Sequence, residues 1–169
     1  MDKIIKVLRI LFFTFFTLFL INLFLNNFIV FNKTESLQKG IYFVIPCNKK
    51  NLRREDIVYF KMPRKLEKLI HERKYTEKSC YYLLKKIGGL PGDNIEKKEN
   101  ILYINSQKIG KIYLEDSLGR PLPQIKDFVV NEGKFIPIGI HQNSFDGRYY
   151  GEIPIELIKK KAFLLIPLK

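Results

Sequence analysis

From Ile10 to Phe31 the chain consists almost wholly of Leu, Ile, Phe and Val, broken by Thr14, Thr17, Asn22, Asn26 and Asn27 and by no charge. At about 1.5 Å of rise per residue, such a run crosses a hydrocarbon core of roughly 30 Å. A cleavable leader is the rival reading, because Lys3, Lys6 and Arg9 form a basic stretch ahead of the run. Cleavage normally needs small residues in an A-x-A-like pattern. Ala162 is the only alanine in the chain, and Asn26 to Asn32 offers bulky residues instead. The expectation is an uncleaved anchor at 10–31 between a short tail at 1–9 and a body at 32–169. Lys33, Lys39, Lys49 and Lys50 balance the basic leader, so charge alone leaves the orientation open.

The 169 residues suffice for one domain plus this appendage, and no repeat or linker divides the body. A net charge of +13, concentrated at Lys49 to Arg54 and Lys61 to Lys78, suits a lysine-rich solvated face or an anionic lipid surface. No zinc finger, RNP-type aromatic motif or helix-turn-helix pattern is legible, so no nucleic-acid partner is expected. Cys47 and Cys80 lack metal-ligand spacing with His71 or His141, and no cofactor or metal is expected. Those two cysteines could pair in an exported domain or stay as free thiols.

Short β-rich segments alternate with turns through the body: Gly40 to Pro46, Asp56 to Lys61, Cys80 to Ile87, Ile101 to Ile104, Gln107 to Ile109, Phe128 to Val130 and Phe135 to Ile138. Asn105 and Ser106 mark a hairpin turn between two such arms. The charged stretch from Pro63 to Ser79, with Leu66, Leu69 and Ile70 at helical spacing, reads as a short helix or loop inserted between strands, largely solvated. Ala162 to Leu168, containing Pro167, reads as a closing edge strand. The fold class is mostly β, an N-terminal transmembrane helix followed by an antiparallel sheet domain.

Three segments carry candidate chemistry. In KKIGGLPGD, Lys85 to Asp93, a lysine on an apolar strand is followed by a rigid turn. Lys85 shares a strand face with Leu83 and Ile87, whereas Lys86 shares one with Leu84 and Gly88, so periodicity does not choose between them. A buried amine is pushed toward its neutral form, which is a base, whereas a snorkelling lysine is merely structural. In NKTESLQKGIY, Asn32 to Tyr42, Ser36 lies within about 17 Å of the anchor's end even if the chain is extended. In NSFDGRYYG, Asn143 to Gly151, Asp146 and Arg148 can form a charge-assisted pair beside Ser144. A Ser/His/Asp triad using His141 is conceivable, although His141 has no recognisable motif around it.

Together, in this order, the segments resemble the boxes of the signal peptidase I family, serine proteases with a Ser/Lys dyad. KKIGGLPGD resembles the pattern KRxxGLPGD, and aligning LPGD on Leu90 to Asp93 selects Lys85. SFDGRYYG resembles SxDSRYxG, with Gly147 where serine is usual, and NKTESLQKGIY resembles the NxTxSLPxGxY of the TraF-type conjugative-transfer branch. Gln38 replaces a proline of that pattern, and Ile140 to Asn143 lack the GDN of housekeeping signal peptidases. The resemblance implies Ser36 as nucleophile, Lys85 as general base and Ser144 as the group orienting its amine, with Asp146 and Arg148 in support.

A lysine near its ordinary pKa of ~10.4 would be protonated and useless as a base, so burial has to depress it. The Ser36 backbone N–H and the Thr34 hydroxyl are the natural oxyanion donors. The expected function is a membrane-anchored serine endopeptidase, its body on the exported side of the bacterial inner membrane. Its expected partners are membrane lipids and precursor proteins with signal sequences, a conjugative pilin or secretion subunit first among them. A general signal peptidase and a noncatalytic anchored β-module of a secretion system are the alternatives.

Overall fold

The computed structural model describes residues 2–77 and 80–168. The apolar run lies as far as Phe28 in helix α1, Asp2–Phe28, none of whose residues is buried against protein. It is long and apolar enough to cross a membrane. Its polar interruptions are satisfied locally: Asn27 Nδ2 donates to the Leu23 carbonyl at 2.8 Å, and Asn26 bonds Asn22. The helix starts earlier and stops sooner than the expected anchor, because Ile29–Asn32 is already a strand, β1. Apolarity suits a membrane helix and a strand alike, and here the choice is made by pairing with β2, Gly40–Pro46, in the register Ile29 to Phe43 and Asn32 to Gly40. The side chain of Lys160 reaches the Asn27 carbonyl at the helix C-terminus, where a cation suits the helix dipole.

The remaining elements are β3 Ile57–Lys61, α2 Arg64–Glu72, β4 Tyr82–Gly89, β5 Asn94–Lys98, β6 Ile101–Ile104, β7 Gln107–Lys111, β8 Phe128–Val129, β9 Lys134–Ile138, α3 Gly147–Tyr150, β10 Ile153–Pro154 and β11 Ile158–Pro167. A seven-stranded sheet has the order β1-β2-β11-β3-β4-β9-β10 and a second sheet the order β7-β6-β5-β8, with every pairing antiparallel. The mostly β fold is as expected. One core packs Val58, Phe60, Ile87 and Phe135 under α2, and another packs Ile95, Leu102, Ile136 and Tyr149 between the sheets. A third, around Leu37, Tyr42, Val44 and Leu84, covers the opposite face of the larger sheet.

Two strand expectations are corrected. β11 is not an edge: it lies between β2 and β3. Its proline sits at the strand's last position, opposite Gly40, where a missing N–H costs the ladder little. β5 escaped the sequence because Glu96, Lys97 and Lys98 break the apolar pattern, yet Ile95 is fully buried. Within the charged excursion, α2 buries Leu66 and Ile70, four residues apart, so only its outer face is solvated. Lys78 and Ser79, which close that excursion, lie outside the described residues. The Asn105 and Ser106 turn has φ of 49° and 65°, the left-handed pair that a two-residue type I′ hairpin needs.

The LPGD turn joins the sheets. Asp93 N–H bonds the Leu90 carbonyl at 3.0 Å with Gly92 at φ 86°, the geometry of a type II turn. The nearly buried Asp93 carboxylate accepts from Leu90 N–H at 2.8 Å, Arg54 Nε at 2.8 Å and Asn105 Nδ2 at 3.0 Å. Burial alone would raise its pKa, but these donors outweigh that and hold it below the usual carboxylate value. Asp93→Ala leaves those donors without their acceptor and is expected to destabilise the body by about 1–3 kcal/mol. Thermal unfolding of the full chain in detergent checks this, and an unchanged melting temperature would contradict the turn's anchoring role.

Candidate active site

Strand β4 is covered on both faces, by Leu83 and Ile87 packing into one core and Leu84 into another, so a lysine between them is drawn out of water. Lys85 is 2% exposed, and its Nζ donates to Ser144 Oγ at 2.6 Å. Burial lowers its pKa to about 8; the Asp146 charge opposes that shift and the Arg148 charge adds to it. Lys86 points elsewhere and pairs with Glu55 at 2.5 Å. The choice that periodicity left open is thus decided by packing: Lys85 is the buried amine.

Ser36 lies on the excursion that the Asn32 to Gly40 rung of the β1 and β2 pair closes off. It is half-buried, and its carbonyl accepts from Ile140 N–H at 2.7 Å, which ties the excursion to the end of β9. Leu37, 2% exposed, plugs the excursion into the core, and Tyr42 Oη donates to the Gln38 carbonyl at 2.7 Å. Ser36, Thr34, Lys85 and Ser144 line one cleft of about 980 Å³. Its far wall includes Tyr75, whose hydroxyl donates to Asp116 at 2.6 Å, while Arg120 Nε donates to the same carboxylate oxygen at 2.7 Å. Among the described residues no hydrogen bond joins the Ser36 and Lys85 side chains; the amine's bond goes to Ser144. Thr34 Oγ1 donates to Asn32 Oδ1 at 2.9 Å.

Asp146 and Arg148 form the buried support beneath this cleft, at 0% and 2% exposure. Asp146 caps α3, accepting from Arg148 N–H at 3.1 Å, and also accepts from Gly139 N–H at 2.8 Å. Arg148 meets the carboxylate with Nε at 2.9 Å and Nη2 at 2.8 Å, a two-pronged pair. Its remaining donors reach the carbonyls of His141 at 2.8 Å, Gln142 at 2.9 Å and Ser144 at 3.1 Å. Burial disfavours the guanidinium charge, but the Asp146 bonds outweigh it and raise the Arg148 pKa. One ion pair therefore sets the loop that carries Ser144.

The conceivable His141 triad does not form among the described residues, because the Asp146 oxygens are occupied by Arg148 and Gly139 while exposed His141 accepts from Asn143 N–H and approaches Glu35 at 3.7 Å. Cys47 and Cys80 are free thiols. Two site residues were not singled out from sequence. A Cβ at Gly139 would lie 2.2 Å from Ser144 Oγ and 2.9 Å from the Ser36 carbonyl, so only glycine lets the two loops meet there. Asn32 bonds several groups of the Ser36 excursion, and the one sequence signal was its place in the NKTES string. At Gly147, a Cβ would lie 2.7 Å from both Ile136 Cγ2 and the Pro137 carbonyl oxygen, so the glycine lets α3 approach the backbone of β9.

Asp146→Asn keeps the side chain's shape but leaves Arg148 charged and buried without a counterion. It is expected to cost about 3–5 kcal/mol, read as a lower thermal unfolding midpoint. A midpoint equal to that of the unsubstituted protein would show that the pair does not support the loop.

Known proteins with similar sequences point the same way as the geometry. Residues 4–166 match the family described as "Signal peptidase, peptidase S26". The chain is 35% identical over 80 residues to signal peptidase I of Bacillus licheniformis, covering 43% of this chain and 42% of that protein. It is 27% identical over 82 residues to a probable signal peptidase I-2 of Synechocystis sp., covering 48% and 36% respectively. These matches therefore span less than half of either relative. A crystal structure of a signal peptidase I from Enterococcus faecalis is similar at 24% identity with a TM-score of 0.39, over 69% of this chain and 97% of that one. A family match running almost from end to end, on a chain that brings a serine and a buried lysine into one cleft, makes this protein a member of the signal peptidase family, peptidase S26.

Proposed function

We propose that the protein is a membrane-anchored serine endopeptidase that removes signal sequences with a Ser36/Lys85 dyad. The observation carrying this reading is the Lys85 amine, buried, lowered to about pKa 8 and lining the same cleft as Ser36. At pH 7 about a tenth of such an amine is neutral, against roughly one part in three thousand for an ordinary lysine. Ser36 Oγ attacks the scissile carbonyl as Lys85 takes its proton, and the lysine then passes that proton to the leaving amine. Water, deprotonated by the same amine, releases the acyl group from Ser36. Ser144 orients the amine through its 2.6 Å bond. Ser36 N–H and the Thr34 hydroxyl receive the oxyanion, and each such donor contributes about 2.7–4 kcal/mol to lowering the barrier.

The anchor holds the nucleophile beside the bilayer, where the cleavage sites of membrane-held precursors emerge. Keeping both partners in one plane lowers the entropic barrier to their encounter. This favours a body on the exported side of the bacterial inner membrane. Small side chains at the first and third positions before the cut, as in the family, are the expected substrate pattern. The NKTES string favours a conjugative pilin or secretion subunit over general precursors.

Ser36→Ala and Lys85→Ala are each expected to abolish precursor cleavage while the protein stays folded and inserted. In the unsubstituted protein kcat/KM should rise about tenfold per pH unit up to pH ~8 and then level off, because only the neutral amine is a base. Cleavage by either variant would refute the dyad, whereas no cleavage even by the unsubstituted protein would favour a noncatalytic β-module. For the substrate, a pilin precursor and an ordinary secreted precursor are offered to the same preparation. Faster cutting of the pilin is expected, and the reverse preference would make the protein a general signal peptidase.

A further inference from the structure

Asn32, 7% exposed, ends β1 with its side chain turned toward the excursion that carries Ser36. Its Nδ2 lies 2.9 Å from the Thr34 carbonyl, 3.1 Å from that of Gln38 and 3.3 Å from that of Leu37. Two hydrogens serve three acceptors, so at least one contact is shared. Its Oδ1 accepts from Thr34 N–H at 3.3 Å and from the Thr34 hydroxyl at 2.9 Å. A single carboxamide thus grips both ends of the excursion, with Ser36 between its grips. Ser36 itself is fixed from outside, through its carbonyl and Ile140 N–H.

We propose that Asn32 is a positioning residue for the reaction, holding the excursion so that Ser36 meets substrate in one geometry and holding the Thr34 hydroxyl in reserve. The proposal rests on the Ser36/Lys85 reading. A hydroxyl has one proton, and that of Thr34 is spent on Asn32 in the resting protein. Thr34 serves an oxyanion only by exchanging Asn32 Oδ1 for the substrate oxygen. The Ser36 N–H, by contrast, donates to no group among the described residues. The two oxyanion donors are therefore unequal: the backbone donor is open from the start, and the side-chain donor is recruited as charge develops. Asn32 controls the second.

No sequence rule demanded this residue, because asparagine at a strand end is ordinarily a turn former. The distinguishing observation is where its side-chain bonds go, all of them to Thr34, Leu37 and Gln38 on either side of Ser36. A displacement of about 1 Å at a nucleophile can cost on the order of a hundredfold in rate.

The test compares Asn32→Ala, Asn32→Asp and Ser36→Ala in detergent, on a peptide with alanine at the first and third positions before the cut. Aspartate keeps the size and the acceptor for Thr34 but cannot donate to the three carbonyls. Both Asn32 variants are expected to lose about ten- to a hundredfold in kcat. KM and the activity midpoint near pH 8 should be kept, since Asn32 makes no bond to Lys85. If alanine costs the fold, the aspartate variant carries the comparison. Full kcat in Asn32→Asp, with Ser36→Ala dead, would overturn this proposal and leave the dyad standing. A rise in KM at unchanged kcat would overturn it as well. Cutting by Ser36→Ala would instead remove the dyad reading on which it rests.

Discussion

Withdrawing one primary amine from water is the constraint around which the molecule is arranged. Lys85 sits in a strand whose two faces are both packed, and its one side-chain bond among the described residues is to Ser144. A charged amine in that place lacks most of its hydration, so the neutral form becomes accessible near pH 8. The cost is borne by the cores on either side of the larger sheet. The result is an amine able to take up a proton near neutral pH, where an ordinary lysine would be a fixed cation.

The surroundings of that amine depend on a buried ion pair. Asp146 and Arg148 offset each other, and Arg148 uses its other donors on the carbonyls of the loop leading to Ser144. Such a pair is costly to bury and more costly to break, which makes it a better device for fixing geometry than for adding stability. Its charges also act on the amine in opposite directions, Asp146 favouring the ammonium and Arg148 opposing it. Desolvation is left as the dominant influence.

Much of the site was legible because its residues lie in short strings with turn chemistry. Leu90 to Asp93 folds as the type II turn its Pro and Gly imply, and Asn105 and Ser106 form the expected hairpin. Strand Gly40–Pro46 has its expected bounds. β5 was not legible, since the residues that make it a strand are recruited by β6 and β8 rather than by an alternating pattern of their own. The place of β11 inside the sheet was hidden for the same reason: its partners β2 and β3 lie about a hundred residues away in the chain. Gly139 matters only because two loops meet against it, which no local pattern records.

Local chemistry and periodicity, read from the sequence by itself, determined an apolar helix, a β-rich body, the turn after the lysine pair and, through family resemblance, the serine and lysine of interest. They do so because backbone preference and hydropathy act over a few neighbouring residues. Tertiary structure alone decided that Lys85 and not Lys86 is buried, that Asp146 is spent on Arg148 and Gly139, that the apolar run ends three residues early in a strand, and that Asn32 grips the Ser36 excursion. Each of these depends on which distant segment supplies the neighbouring atoms. Desolvation and hydrogen-bond competition are properties of that surrounding shell, and they come into being only when the chain closes on itself.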